Sequence, residues 1–566
     1  MNKILSFQIV IIGVGSFPTP IYFLCGVRYM RYALNKAQQI AVDSESPKIL
    51  CLAGAGTGKT RTLIERIVGL VNRGVAPSSI LALTFTNAAA FEMKERYREY
   101  VDSGESPEFR TFHSYCYDLM SKDIKVRNAL GYTSMPSIAD DYKQKRIESE
   151  ALTQSGIRLS KTKISDPASL SMKEKKDYEI LMKFRKRLMV KENLITFDEL
   201  CQGVCKLFIS KDPIVDKYRN MIKYLHVDEY QDTDKVQHNF VMSFSDSANI
   251  FVVGDSLQSL YRFRGAVPEI IKSLAVDKDW TVIRLSENYR STKEICNFAN
   301  EFSAGYADES YRIPIESERL GRPVEHRQYF YLTDSPKFKE IYKRIALECK
   351  CLTGSVAIIS RTNSECSIIR DELDKNGVAY STSHKEVDAR FMLPSVSDSK
   401  YMINWLATFL PSEQYSEFIR MSTIFTSDGK EYTERLFLNQ FNTNREIKVR
   451  SESIYKIRGI LNSDKDKDNK CKAILNVLGF PNLAVDLSEV STVSDLLNQI
   501  ILAVEHRPEQ ESSVYVGTIH SVKGLEYDTV YVIGVNGRKF KLDSEDNKNC
   551  YYVAITRAKE NLIIYS

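Results

Sequence analysis

The chain has 566 residues, 43% hydrophobic and 27% charged, with a net charge of +5. That composition excludes a disordered chain and a histone-like polycation, leaves room for more than one buried core, and confines any nucleic-acid binding to local grooves. The 11 cysteines include Cys201 with Cys205 and Cys349 with Cys351, but no C-x-x-C pair and no matching histidine pair, so their spacing shows no zinc motif and fits a reducing cytoplasm.

Ile4 to Val27 is uncharged, is flanked by Lys3, Arg28 and Arg31, and is long enough to span a bilayer. Gly13, Gly15, Pro18 and Pro20 weaken it as a helix. We read residues 1–33 as a dispensable start ahead of the cytoplasmic protein, with a membrane anchor and a signal peptide as the alternatives.

Chemistry begins at Ile49–Thr60, ILCLAGAGTGKT. A β-like apolar run enters a Gly-rich turn and a helix-compatible segment follows, the context of a phosphate-binding loop. Gly54, Ala55, Gly56, Thr57 and Gly58 form the turn. Its glycines let the backbone approach a polyphosphate, Lys59 reaches the outer phosphates, and the Thr60 hydroxyl suits Mg²⁺. Gln38, upstream, is by itself an ordinary surface amide; beside such a loop it can read an adenine edge.

Further strand-like runs end in Thr84-Phe85-Thr86-Asn87 and in the stretch Phe109–Ser114, with His113. Aromatic and small polar groups at strand ends suit packing, and also stacking on bases. The Lys-rich stretch from about Cys116 to Asn193 has a helical pattern. Tyr224–Val227 precedes the paired acids Asp228 and Glu229, suited to holding a cation and activating water. Asn249–Gly254 leads to Asp255 and Gln258, with Tyr261, Phe263 and Arg264 close behind. Alternating strands and helices imply a parallel α/β sheet with its chemistry at the strand carboxyl ends. A second α/β region begins near Leu285. The rhythm fades from about 385 to 507 and returns to the end of the chain.

Eight motifs in order, AGAGTGKT, TFTNAAA, TFHS, DEYQDT, GDSLQSLYRFRGA, LSENYRS, TIHSVKGLEYDTV and YVAITRAKENL, resemble the superfamily 1 helicases of the UvrD/Rep/PcrA type. The resemblance runs from about Leu34 to Ser566. It implies an α/β protein with two RecA-like parallel-sheet P-loop domains, each carrying a mainly helical insertion. The expected division is 34–118 with 195–283 for the first domain, 119–194 for its insertion, 284–384 with 508–566 for the second, and 385–507 for its short insertion.

By motif, Gln38 resembles the adenine-reading glutamine, Lys59 and Thr60 the phosphate and Mg²⁺ residues, and Arg61 an arginine lining the nucleotide. Asp228 resembles the Mg²⁺-holding acid, Glu229 the catalytic base and Gln258 the γ-phosphate contact. Tyr289 is similar to the adenine-stacking tyrosine, Arg290 and Arg557 to the cationic fingers of the second domain, and Glu526 to a ribose contact. Phe85, Asn87, His113, Tyr261, Phe263, Arg264, Arg361, Asn363 and His520 resemble single-stranded DNA contacts. Departures are Ala88 in place of a lysine, Ser256 in place of an acid, and Phe263 where tryptophan is common.

The resemblance implies a 3′→5′ DNA helicase or translocase using ATP and Mg²⁺ on single strands and single-to-double-strand junctions. Two alternatives are a translocase that strips proteins with little unwinding, and a DNA-sensing ATPase subunit regulating a partner nuclease in defence or repair.

Overall fold

A computed structural model of the chain describes residues 33–101, 104–139, 141–160, 170–328, 336–382, 513–537 and 540–566, with a few short pieces elsewhere. The expected N-terminal extension and second insertion therefore fall almost wholly outside the described residues. Among the described residues, no helix is long and apolar enough to cross a membrane.

The first sheet contains β1 (Lys48–Ala53), β2 (Ile80–Thr84), β3 (Glu108–Thr111), β4 (Tyr224–Val227), β5 (Asn249–Gly254) and β6 (Thr281–Leu285). All pairings are parallel, in the order β6-β1-β5-β4-β2-β3. Near-continuous apolar runs form these strands because both faces are covered. Alternate residues serve opposite faces: Leu50, Leu52, Leu81, Leu83, Ile250 and Val252 join one core, and Ile49, Cys51, Ala53, Ile80, Ala82, Phe251 and Val253 join the other. The expected domain junction at 283/284 falls inside β6, whose ladder with β1 keeps it in the first sheet as far as Leu285.

Helices α1 (Lys36–Asp43), α2 (Lys59–Asn72), α3 (Asn87–Arg98) and α4 (Phe112–Lys122) accompany these strands. α5 (Asp141–Ser155) and α6 (Met172–Lys191) then pack around a separate small core of Ile147, Ala151, Leu181, Leu188 and Met189. Ser171 and Glu174 close a capping box that starts α6 despite its many lysines. α7 (Phe197–Ile209) returns the chain to the first core through Leu200, Val204 and Phe208.

The second sheet holds β7 (Glu325–Arg327), β8 (Val356–Ser360), β9 (Ser381–Thr382), β10 (Val514–Thr518), β11 (Tyr527–Ile533) and β12 (Ala558–Tyr565). It too is parallel, in the order β7-β12-β11-β8-β10-β9. Its strands again divide between two cores, Ala357, Ile359, Val530 and Val532 on one side and Val356, Ile358, Tyr531 and Ile533 on the other. The first of these cores also takes in Ala55, Leu257 and Leu260 of the first sheet's loops, so the two units share apolar contact beside the phosphate-binding turn.

Candidate nucleotide and DNA site

Parallel pairing puts the carboxyl ends of the first sheet's strands along one edge. There the chain places the turn after β1, Asp228 after β4, Asp255 after β5 and Asn288 after β6. The turn is closed by the Thr57 hydroxyl, which donates to the Gly54 carbonyl at 2.8 Å. On one side Gln38 braces it, donating from Nε2 to the Thr57 carbonyl at 3.0 Å. Gln38 is fully buried rather than a surface amide, and it also makes a capping box with Asn35 at the start of α1. On the other side Asn288 Nδ2 donates to the Ala55 carbonyl at 2.7 Å and the Tyr289 N–H to the Gly56 carbonyl at 2.9 Å.

Gly56 is required twice over. Its φ of +70° lies in the left-handed region, and a Cβ would come within 2.6 Å of Asn288 Nδ2 and 2.8 Å of Arg290 Cβ. Gly56→Ala is therefore expected to push the Asn288–Arg290 segment off the turn and to cut ATP turnover at least tenfold while circular dichroism shows an intact fold. Native turnover in that variant would refute the close approach.

Thr60 Oγ1 donates to Asp228 Oδ2 at 2.8 Å. Burial, then the neighbouring Glu229 charge, pushes the Asp228 carboxyl up to about 6, so this buried acid is short of positive charge. The donor set fits a divalent cation held by Thr60 and Asp228. Glu229 stands at φ +53°, a sparsely populated backbone state for a non-glycine residue, and its N–H donates to Asp228 Oδ1 at 2.9 Å. Burial raises its carboxyl, but Lys523, Lys59, Gln231 and Arg557 together more than offset this, so Glu229 is held below its ordinary pKa.

A chain of hydrogen bonds connects Glu229 to the second sheet. Gln231 Nε2 donates to Glu229 Oε2, and Gln231 Oε1 accepts from the Asp255 N–H at 3.0 Å. Gln258 Nε2 donates to Asp255 Oδ2 at 2.7 Å, and Arg557 Nη2 donates to Gln258 Oε1 at 3.1 Å. Gly254 permits this path, because a Cβ there would collide with Gln231 Oε1. Burial, then the charge of Arg290, lowers the Arg557 guanidinium to about 9, which leaves it charged at neutral pH.

Arg290 donates from Nε to Glu526 Oε2 at 2.8 Å and from Nη1 to the Thr556 carbonyl at 3.1 Å. Glu526 also pairs with Lys559 at 3.2 Å. Tyr289 is 45% exposed, and its hydroxyl accepts from Asn35 Nδ2 at 2.9 Å. Arg61 lies two residues into α2 and 3.9 Å from Glu65.

Of the expected DNA residues, the structure brings Tyr261, Phe263 and His520 together, with ring centroids 6.2 Å and 5.7 Å apart along the row. Phe263 is 70% exposed. Arg264 shares the short turn Arg262–Arg264. Phe85 packs on Phe112, and Asn87 accepts from the Thr111 hydroxyl at 3.4 Å. His113 faces Asp198 and Phe197 at the start of α7 rather than the exposed aromatic row. Arg361 and the exposed Asn363 follow the carboxyl end of β8.

Two groups escape motif reading of the notable side chains. Gln231 holds Glu229, as above. Lys523, from the second sheet's TIHSVKGLE loop, pairs with buried Asp232 and lies 5.0 Å over the Tyr261 ring. Burial opposes its charge, but Asp232 and Glu229 more than offset that and hold the ammonium above its ordinary pKa. A lysine in a Gly-containing loop carries no mark of burial in the sequence, so only the fold shows it.

A Gly-rich turn between strand and helix on the first of two joined parallel sheets, with the second sheet's Arg557 reaching Gln258 beside it, is the architecture of a two-domain, RecA-like P-loop protein. Residues 34–279 match the UvrD/REP helicase N-terminal domain, and residues 283–388 with 426–566 match the UvrD-like helicase C-terminal domain. The chain belongs to the UvrD-like family of ATP-dependent DNA helicases. It is 28% identical to the ATP-dependent DNA helicase PcrA of Staphylococcus aureus, over 94% of this chain and 83% of the relative. Against PcrA of Bacillus subtilis the identity is 27%, over 94% and 82%.

Proposed function

We propose that the chain moves 3′→5′ along single-stranded DNA and unwinds duplexes at single-to-double-strand junctions, driven by ATP hydrolysis between its two RecA-like units. The observation that carries this is the Arg557–Gln258 bond, which ties the second unit to the chain of groups ending on Glu229. Lys59 and the turn's N–H groups hold the triphosphate, Thr60 and Asp228 hold Mg²⁺, and Gln258 reports on the terminal phosphate. When bound, the cation neutralises charge on the phosphates. Glu229 accepts the proton of the attacking water.

Arg290 and Arg557 stabilise charge on the transferred phosphoryl oxygens, Tyr289 stacks on the base, and Gln38, Arg61 and Glu526 border the nucleoside. Gln38 Nε2 carries a second N–H beyond the one bonded to the Thr57 carbonyl, so the same amide can brace the turn and read adenine. The DNA lies on Tyr261, Phe263 and His520, with Phe85, Asn87, His113, Arg264, Arg361 and Asn363 along its path. The described cysteines are all free thiols, in keeping with a cytoplasmic setting.

Strand displacement on duplexes with 3′ or 5′ tails tests the polarity. The 3′-tailed substrate should open in an ATP-dependent way, and opening of the 5′-tailed duplex alone would overturn the assignment. Phe263→Ala is expected to weaken single-strand binding by about 1–3 kcal/mol, the usual value of one aromatic platform. Fluorescence anisotropy of a labelled oligonucleotide measures this; an unchanged affinity would remove Phe263 from the path.

Lys523 tunes the base in this scheme. Its ammonium lowers the Glu229 pKa, so Lys523→Met should raise that pKa and shift the acid limb of ATP turnover to higher pH. Turnover should fall more at pH 6 than at pH 8. A loss equal at both values would assign Lys523 a purely structural part.

A further inference from the structure

Cys116 on α4 and Cys201 and Cys205 on α7 meet in the interior of the first unit, all three buried. Their sulfurs are 3.8 Å (Cys116–Cys201), 4.0 Å (Cys116–Cys205) and 4.0 Å (Cys201–Cys205) apart. A point equidistant from three sulfurs so placed lies about 2.3 Å from each, the length of a zinc–thiolate bond. Cys201 and Cys205 reach one side of α7 because they are four residues apart on a helix. No spacing rule exposes the site, because Cys116 is 85 residues away from Cys201.

We propose that these three cysteines form a structural site for a thiophilic d¹⁰ dication, zinc being the natural candidate. Soft sulfur donors select such ions over magnesium or calcium. A dication leaves the tris-thiolate with a net charge of −1, less costly to bury than the −2 that a monocation would leave. As each metal–sulfur bond forms, its thiol proton passes to solvent buffer, and no electron changes hands. Among the described residues these three sulfurs are the donor atoms grouped closely enough to share one ion, and their spacing makes the site a trigonal tris-thiolate with the ion close to the plane of the sulfurs.

The location gives the site a purpose. α4 precedes the helical pair α5–α6 and α7 follows it, so Cys116 and Cys201 stand at the two roots of that insertion. Metal there would clip the roots together and close the long intervening loop, fixing the base from which α5 and α6 project.

The full chain, expressed without a metal-binding tag and stripped of metal under reducing conditions, is titrated with Cd²⁺ as a spectroscopic stand-in for zinc. One equivalent should saturate a sulfur-to-metal charge-transfer band, and one equivalent of Zn²⁺ should raise the melting temperature. Cys201→Ala should lose the band, whereas Cys351→Ala, at an exposed thiol, should keep it. A wild-type chain that shows neither the band nor the shift has three thiols packed as small apolar side chains, and the proposal falls. It falls equally if Cys201→Ala retains the band. Should Cys201→Ala not fold, the wild-type band and shift decide the matter alone.

Discussion

Glu229→Gln is expected to bind ATP and single-stranded DNA with near-native affinity and to hydrolyse ATP about 10²–10⁴-fold more slowly, the contribution of a well-placed general base. The substitution is nearly isosteric. The amide oxygen of glutamine can still accept from Gln231 Nε2, and the backbone N–H that donates to Asp228 Oδ1 is untouched. Only proton-accepting capacity and a negative charge are removed. Loss of that charge relieves Asp228, whose carboxyl Glu229 pushes up, so Asp228 should stay ionised to lower pH. Single-turnover hydrolysis measured beside equilibrium ATP binding separates the two effects. Turnover within a few-fold of the wild type would take the base role from Glu229.

Such a prediction could be framed from the sequence because its elements are local. A Gly-rich turn between a strand and a helix, or two acids directly after an apolar strand, express their chemistry through backbone geometry fixed within a few residues. The parallel sheets were legible for a similar reason, since strands buried on both faces must be apolar throughout. Contacts across the fold were not. Gln38 reads as a surface amide, yet it is buried against the Thr57 carbonyl, because the capping box with Asn35 aims it inward. Gln231 and Lys523 sit in motifs that were read, but their partners are Asp255 and Asp232, supplied by another strand and another unit. The three sulfurs come from helices on either side of an insertion. Periodicity finds the faces of helices; it does not say which faces meet.

Arg557→Ala should keep much of the nucleotide affinity and lose turnover by about 10³-fold or more, equivalent to about 4 kcal/mol of transition-state stabilisation. Arg557 is among the largest fully buried side chains in the described chain. Its Nε donates to the Val553 carbonyl at 2.9 Å and its Nη2 to Gln258 Oε1, so the guanidinium is fixed before any substrate arrives and little reorganisation is left for the reaction. Truncation has two consequences. The transferred phosphoryl group loses a cation, and Gln258 loses the contact through which the second unit reaches Asp255, Gln231 and Glu229. Arg557→Lys discriminates between them. Lysine restores charge without the planar fork that spans two partners, so a rate near that of alanine would show that geometry dominates, and recovery of most of the loss would show that charge does. DNA-stimulated and basal ATPase rates measured together complete the test. If Arg557 couples the units, alanine should abolish stimulation by DNA as well as slow the basal rate. A variant that is slow but still fully stimulated would confine Arg557 to the phosphates and place the coupling elsewhere.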